Sequence, residues 1–198
     1  KLVSDLLELS QYQSGGAKLD RKRFSLTELV NRIAERCMKP ELRAQLKLYL
    51  PEEAEAFADE RRTEQVLINF LNNASEHLFE GGRIDVMVYG EEGEPWVLEV
   101  VNDGDPVPEE AIEHIWDSFF RADKARSRNQ GRYGLGLSIV RAIQEMHAMG
   151  YGAENLDGRV RFWAEIAKAE GDDARLADAV SPGRDDEAMT GYIADEDM

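Results

Sequence analysis

Residues 59–78 read DERRTEQVLINFLNNASEHL, and the spacing of the apolar members of this stretch frames the rest of the chain. At roughly 100° of turn per residue, Val66, Leu67, Phe70, Leu71, Ala74 and Leu78 fall within one broad face, the pattern of an amphipathic helix with a buried side. Asn69 and Asn73, four apart, project together from the edge of that face with Glu76 beside them. Two side-chain carbonyls on one side of a helix make a hard-oxygen surface that a magnesium ion carrying phosphates can use. Taken alone, such a pair is more often a solvated helix edge.

Downstream, Gly81-Gly82 marks a turn, and two strands are expected over 84–89 and 96–102, separated by the polar stretch 91–95. After Asn102-Asp103-Gly104-Asp105-Pro106-Val107-Pro108 the pattern predicts another amphipathic helix carrying Ile112, Ile115 and Trp116. A polar loop over 121–133 leads into Gly134-Leu135-Gly136-Leu137-Ser138-Ile139-Val140, which opens a helix running to about His147. Strands over 151–155 and 160–166 are joined by Asp157-Gly158, a hairpin turn signal. Upstream, Leu2, Val3, Leu6, Leu7 and Leu9 form a short helical stripe that stops at Ser14-Gly15-Gly16 and needs a partner, either the next domain or a copy of itself. A second helix starts with Ser25 as N-cap and Glu28 three residues on, buries Leu29, Val30 and Ile33, and ends before Pro40. Residues 46–50 alternate and then meet Pro51, which suits a strand. Helices interleaved with adjacent antiparallel strands indicate an α+β sandwich, with helices on one face of a mixed sheet.

Charge narrows the function classes. The 198 residues hold 24 Lys+Arg against 40 Asp+Glu, a formal charge of −16, so non-specific binding to nucleic acid or to an anionic membrane surface is disfavoured. Residues 168–198 carry ten of the acids and three of the bases with little apolar periodicity, and read as a disordered or loosely attached acidic tail. The loop after Phe120 runs the other way. Arg121, Lys124, Arg126, Arg128 and Arg132 against Asp123 make it +4. It feeds the Gly134 to Leu137 run at a helix start, where free N–H groups and the helix dipole attract an anion and glycine lets backbone approach phosphate. The single cysteine, Cys37, excludes an internal disulfide and lacks the neighbours of a structural zinc site. No apolar run approaches the roughly 18 residues of a membrane span.

Four of these stretches, taken in chain order, resemble the ATP-binding catalytic domain of sensor histidine kinases, within the gyrase, Hsp90, MutL and histidine kinase ATPase superfamily. Asn69-Phe70-Leu71-Asn72-Asn73-Ala74 is similar to the family's N-L-L-x-N-A asparagine box, and Asn102 to Pro108 to its D-x-G-x-G-I-P adenine motif. Ile115-Trp116-Asp117-Ser118-Phe119-Phe120-Arg121 resembles its I-F-E-x-F-Y-R box, and residues 132–140 its G-x-G-L-G-L-x-I-V box. Residues 2–16 look like the end of the family's second dimerisation helix. The resemblance implies a Bergerat-type two-layer α/β sandwich that uses ATP and Mg2+. On this basis Asn69 and Asn73 hold the metal, Asn102 and Gly104 recognise adenine, and Arg121, Arg132, Gly134, Leu135, Gly136 and Leu137 cradle the phosphates. It further implies three parts: residues 1–16 as the helix end, 17–167 as the catalytic domain and 168–198 as the tail. The implied partners are a histidine-bearing dimerisation domain of a homodimeric full-length kinase and a response regulator. The implied setting is the cytoplasmic part of a membrane-anchored bacterial sensor.

The departures are as specific as the matches. Asn102 stands for the adenine-contacting aspartate, Pro106 for the last glycine of that motif, Arg132 for the first glycine of the lid box, and Ala148-Met149 for a usual Gly-Gly. Glu76 stands where a lysine commonly reaches the phosphates, and a carboxylate there repels them unless it turns away or helps hold the metal. None of His77, His114 and His147 has the H-E-[LF] context of a phosphoacceptor, which is therefore expected outside this chain. A degenerate nucleotide-binding or regulatory module without phosphotransfer remains the alternative. An ATPase or serine kinase of the anti-sigma type is disfavoured by residues 2–16 and by the phenylalanine box.

Overall fold

The fold was read from a computed structural model, which describes residues 2–37, 45–121 and 134–169. In chain order the elements are α1 (Leu2–Gln13), β1 (Lys22–Ser25), α2 (Leu26–Cys37), β2 (Leu46–Tyr49), β3 (Glu55–Ala58), α3 (Glu60–His77), β4 (Ile84–Tyr89), β5 (Trp96–Asp103), a 3-10 turn (Glu109–Ala111), α4 (Gly136–His147), β6 (Tyr151–Leu156) and β7 (Arg159–Ile166). The helix of residues 59–78 thus forms within a residue of its expected bounds. Asp59 is its N-cap, accepting from the Arg62 N–H at 3.2 Å. Ser25 serves α2 in the same way, accepting from the Glu28 N–H at 3.2 Å.

Five strands lie in the order β2-β4-β5-β7-β6, with β2 parallel to β4 and every other pair antiparallel. Alternation along β7 explains how the sheet divides its faces. Val160, Phe162, Ala164 and Ile166 are buried, while Arg159, Arg161, Trp163 and Glu165 take the opposite side. The buried face meets Leu29, Val30 and Ile33 of α2, Val66, Leu67 and Phe70 of α3, and Ile139, Val140 and Ile143 of α4 in one core. Phe70 and Phe162 close it with ring centroids 5.9 Å apart. This is the expected α+β sandwich with helices on one face of a mixed sheet. The opposite face is bound by ion pairs instead. Arg159 joins Asp85 at 2.9 Å to Asp103 at 2.7 Å, and Arg161 joins Glu99 at 2.7 Å to Glu154 at 2.6 Å.

Three features differ from the sequence reading. First, β1 and β3 pair antiparallel in a second, two-stranded sheet that was not anticipated; four residues each are too few for alternation to stand out, and the partners are some thirty residues apart. Second, the helix expected to carry Ile112, Ile115 and Trp116 is instead a 3-10 turn followed by irregular turns. The preceding backbone is held extended, because the Asn155 side chain accepts from the Val107 N–H at 2.8 Å and donates to its carbonyl at 2.7 Å. Bonds such as Ala111 N–H to Pro108 O and Asp117 N–H to His114 O then close turns of three residues. Trp116 is buried regardless, its ring 4.8 Å from that of Tyr151 in an edge contact.

Third, the α1 stripe is split. Leu9 and Tyr12 are buried, whereas Val3, Leu6 and Leu7 are exposed. The buried end docks on α3 through Gln65, which donates to Glu8 at 2.8 Å, and through Arg62, which pairs with Glu8 at 3.2 Å and lies 4.9 Å from the centre of the Tyr12 ring. Of the stripe, Leu9 is buried against the rest of the fold, and Tyr12, further along the helix, is buried with it.

Candidate functional site

The C-terminal half of α3 is the line on which the four motifs meet. Its first asparagine, Asn69, is half-buried, and Gly136 at the start of α4 lies against it: a Cβ on Gly136 would stand 3.3 Å from Asn69 Oδ1. A larger residue at 136 would press directly on the asparagine. The amide nitrogen of Asn69 is buried without a hydrogen-bond partner among the described residues. Buried polar atoms are ordinarily paired, so an orphan here marks a place where a polar ligand fits. Asn73, one turn on, is half-buried on the same stripe.

At the end of α3, the carbonyl of His77 leaves no room for a side chain at Gly104. A Cβ there would sit 2.7 Å from that oxygen and 2.8 Å from Asn102 Nδ2. Leu78 and Gly104 form an isolated antiparallel bridge, and the Phe79 N–H donates to Asp103 O at 3.2 Å. The turn after β5 is thereby stitched to the end of the asparagine helix. Asn102 is 1% exposed and donates only locally, to the Asp103 carbonyl at 3.3 Å. It is therefore placed in the wall beneath the α3 terminus, where the aspartate of the resembled motif would be.

The third motif arrives through Arg121, whose guanidinium is 3.9 Å from the Glu76 carboxylate. The fourth closes against it. Gly134 adopts φ +69°, and a Cβ on it would meet the Phe120 carbonyl at 2.7 Å and Arg121 Cγ at 3.3 Å. The Phe119 N–H donates to Gly134 O at 3.0 Å, so the two ends of the intervening segment are pinned together. Phe119 holds φ 66°, a conformation that costs a non-glycine residue about 1 kcal/mol or more, directly beside the site. Leu135 is buried, while Leu137 is half-buried above Gly136. Among the described residues no side chain caps α4, and no acidic residue stands in its first turn, an arrangement that favours an anion at this helix start.

Of the site residues read from sequence, the structure brings Asn69, Asn73, Asn102, Gly104, Arg121, Gly134, Leu135, Gly136 and Leu137 to this one region. Arg132, and with it Lys124, Arg126 and Arg128, lies outside the described residues. The contact that sequence reasoning did not foresee is the one between Glu76 and Arg121. They are 45 positions apart, and only the folded turn at 119–121 joins them. Among the described residues there is no group of three or more His, Cys, Asp or Glu that could hold a metal.

The histidines do other work. His147 is buried and held neutral, its Nδ1 donating to Ile143 O at 2.9 Å and its Nε2 accepting from the Asp59 N–H at 3.1 Å. Burial lowers its pKa. His77 is exposed at the α3 terminus, and His114 sits in the turn region, not in a helix, 3.1 Å from Asp117.

Comparison with known proteins agrees with this geometry. The family described as histidine kinase-, DNA gyrase B-, and HSP90-like ATPase matches residues 58–172, which run from the end of β3 past β7. The sensor histidine kinase WalK of Bacillus subtilis (strain 168) is 30% identical over 162 residues, 80% of this chain but 26% of that protein. The chain thus spans about a quarter of that relative's length. Among solved structures, the nucleotide-free catalytic domain of the histidine kinase ThkA superposes with a TM-score of 0.65 at 32% identity, covering 75% of this chain and 96% of that one. The structure of ThkA in complex with the response regulator protein TrrA gives a TM-score of 0.65 at 28% identity, covering 84% of this chain and 48% of that one. The chain belongs to the histidine kinase-, DNA gyrase B- and HSP90-like ATPase family, and its fold is that of the ATP-binding catalytic domain of a sensor histidine kinase.

Proposed function

We propose that the chain binds ATP with Mg2+ in the cleft lined by the second half of α3, the 102–104 turn and the start of α4, and presents the γ-phosphate to a histidine on a dimerisation domain. The observation that carries this reading is the convergence of four separate motifs on one stretch of α3, where, among the described residues, the Asn69 amide nitrogen, a donor suited to a phosphate oxygen, has no partner and the start of α4 has no side-chain cap. Asn69 and Asn73 supply carbonyl oxygens to the metal. Asn102 accepts from the exocyclic amine of adenine, and Gly104 keeps the wall close enough for that contact. Arg121 and the backbone of the Gly134 to Leu137 run neutralise phosphate charge, a role Arg132 shares. ATP supplies the phosphoryl group. The protein contributes position and charge neutralisation, which is most of what phosphoryl transfer requires.

Residues 17–167 form the catalytic unit in this reading, residues 1–16 the end of a dimerisation helix, and 168–198 an acidic appendage. The exposed Val3, Leu6 and Leu7 fit the first assignment, since they lie free for a second helix of a homodimer. A response regulator is the downstream partner, as the ThkA–TrrA complex suggests by analogy. No helix among the described residues is long and apolar enough to cross a membrane, which fits the cytoplasmic portion of an anchored sensor. Glu76 favours one competing reading, a degenerate module that binds nucleotide without transfer. Histidine-bearing dimerisation helices supplied in trans with labelled ATP separate the two: labelled histidine is expected. Nucleotide binding with no label on the helices would establish the degenerate module instead.

A further inference from the structure

Glu76 shares the α3 stripe with Asn69 and Asn73 at spacings of i, i+4 and i+7, so the carboxylate points the same way as the two proposed metal ligands. Its side chain is 17% exposed, and that of Arg121 is 29% exposed. At 3.9 Å the two charges form an ion pair longer than a hydrogen bond, a modest attraction between partly buried groups. The Arg121 stem lies beside Gly134, where a Cβ built on the glycine would stand 3.3 Å from Arg121 Cγ. A guanidinium presents a planar fork of donors that suits a carboxylate or a phosphate equally well. We infer that Glu76 acts as an affinity brake on this site: it competes with nucleotide phosphate for Arg121, so that binding requires the guanidinium to exchange one anion for another.

This inference rests on the proposed placement of phosphate at Arg121. Both residues also make further contacts. The effect is graded by ligand. Adenosine has no phosphate to contest Arg121 and is indifferent to Glu76, whereas ATP, with the most charge reaching that end of the cleft, is penalised most. Such a brake makes Glu76 a determinant of nucleotide affinity at a position where a cation would instead add to the attraction.

The test is a calorimetric titration of the full chain with adenosine, ADP and ATP in magnesium, using the wild type, Glu76→Gln, Arg121→Ala and the double variant. Glu76→Gln should tighten ATP roughly two- to fivefold, the size of one partly exposed charge contact. Adenosine affinity should stay unchanged, which also reports that the site is intact. With Arg121 already removed, Glu76→Gln should have less than about a twofold effect. Equal ATP affinity for wild type and Glu76→Gln overturns the inference while leaving nucleotide binding in place. The same tightening without Arg121 overturns it in favour of direct repulsion, and weaker ATP binding by Glu76→Gln overturns it in favour of a metal-ligating carboxylate. If none of the four proteins binds any nucleotide, the functional reading itself falls, and the brake with it.

Discussion

His147 ties the C-terminal end of α4 to the N-cap of α3, and removing it should loosen the frame that carries the site. The imidazole is buried, accepts from the Asp59 N–H at 3.1 Å and donates to Ile143 O at 2.9 Å. Its neighbours fix the neutral form. Asp59 uses its own carboxylate on the N–H groups of Asp20 and Arg62, and Arg21 donates to the His147 and Met146 carbonyls from the solvent side. His147→Ala leaves the buried Asp59 N–H without its acceptor and opens a cavity, a combined cost of about 2–4 kcal/mol. The pH dependence follows from the same geometry. Because burial lowers the folded-state pKa below the ordinary value of 6.5, protons bind the unfolded chain first, so the stability is complete above pH 6.5 and declines as pH falls below it. If folded His147 stays neutral throughout, the loss between pH 7.5 and 5.5 reaches about 1.4 kcal/mol. Urea denaturation of the wild type and of His147→Gln at the two pH values isolates that term as the difference between their slopes. Equal pH dependence in the two proteins would refute the neutral latch.

Two substitutions separate folding from binding. Ala148 closes α4 at φ 55°, ψ 42°, with the Met149 N–H donating to Gln144 O at 3.0 Å, a left-handed cap that glycine adopts without strain. Ala148→Gly should therefore raise stability by about 0.5–1 kcal/mol, read as a higher thermal midpoint, and a lowered midpoint would contradict the assigned cap. Gly136→Ala should keep or raise the midpoint, since alanine is the better helix former, yet weaken nucleotide binding several-fold by displacing Asn69, which lies 3.3 Å from the new Cβ. Unchanged affinity in that variant would place Asn69 outside the site.

The parts of the fold that were legible in sequence are those in which one element carries its own signal. Residues 59–78 show a period of 3.6 over five turns, and residues 160–166 follow the Asp157-Gly158 turn signal as an apolar-rich stretch, so α3 and β7 could be read directly. What escaped were features made by distant partners. The pairing of β1 with β3 rests on four residues from each side, and the turns at 109–119 take their shape from Asn155, on a strand near the other end of the chain. The site follows the same rule. The residues proposed for it were picked out by four short motifs that resemble those of a known family, and the structure brings most of them to one region. The Glu76 to Arg121 contact was not, because nothing local to either residue reports the other. The departure at Ala148, visible in sequence only as a missing glycine, acquires a physical meaning from its backbone angles.

The central claim is that the second half of α3 holds a magnesium-bound nucleotide through Asn69 and Asn73. Titrating the chain with a non-hydrolysable ATP analogue and magnesium, beside Asn73→Ala, tests it most directly. Saturable binding is expected, weakened at least about tenfold by the substitution, since even the partners that orient metal ligands are worth that much. No binding at millimolar nucleotide, or equal affinity for the two proteins, would contradict it.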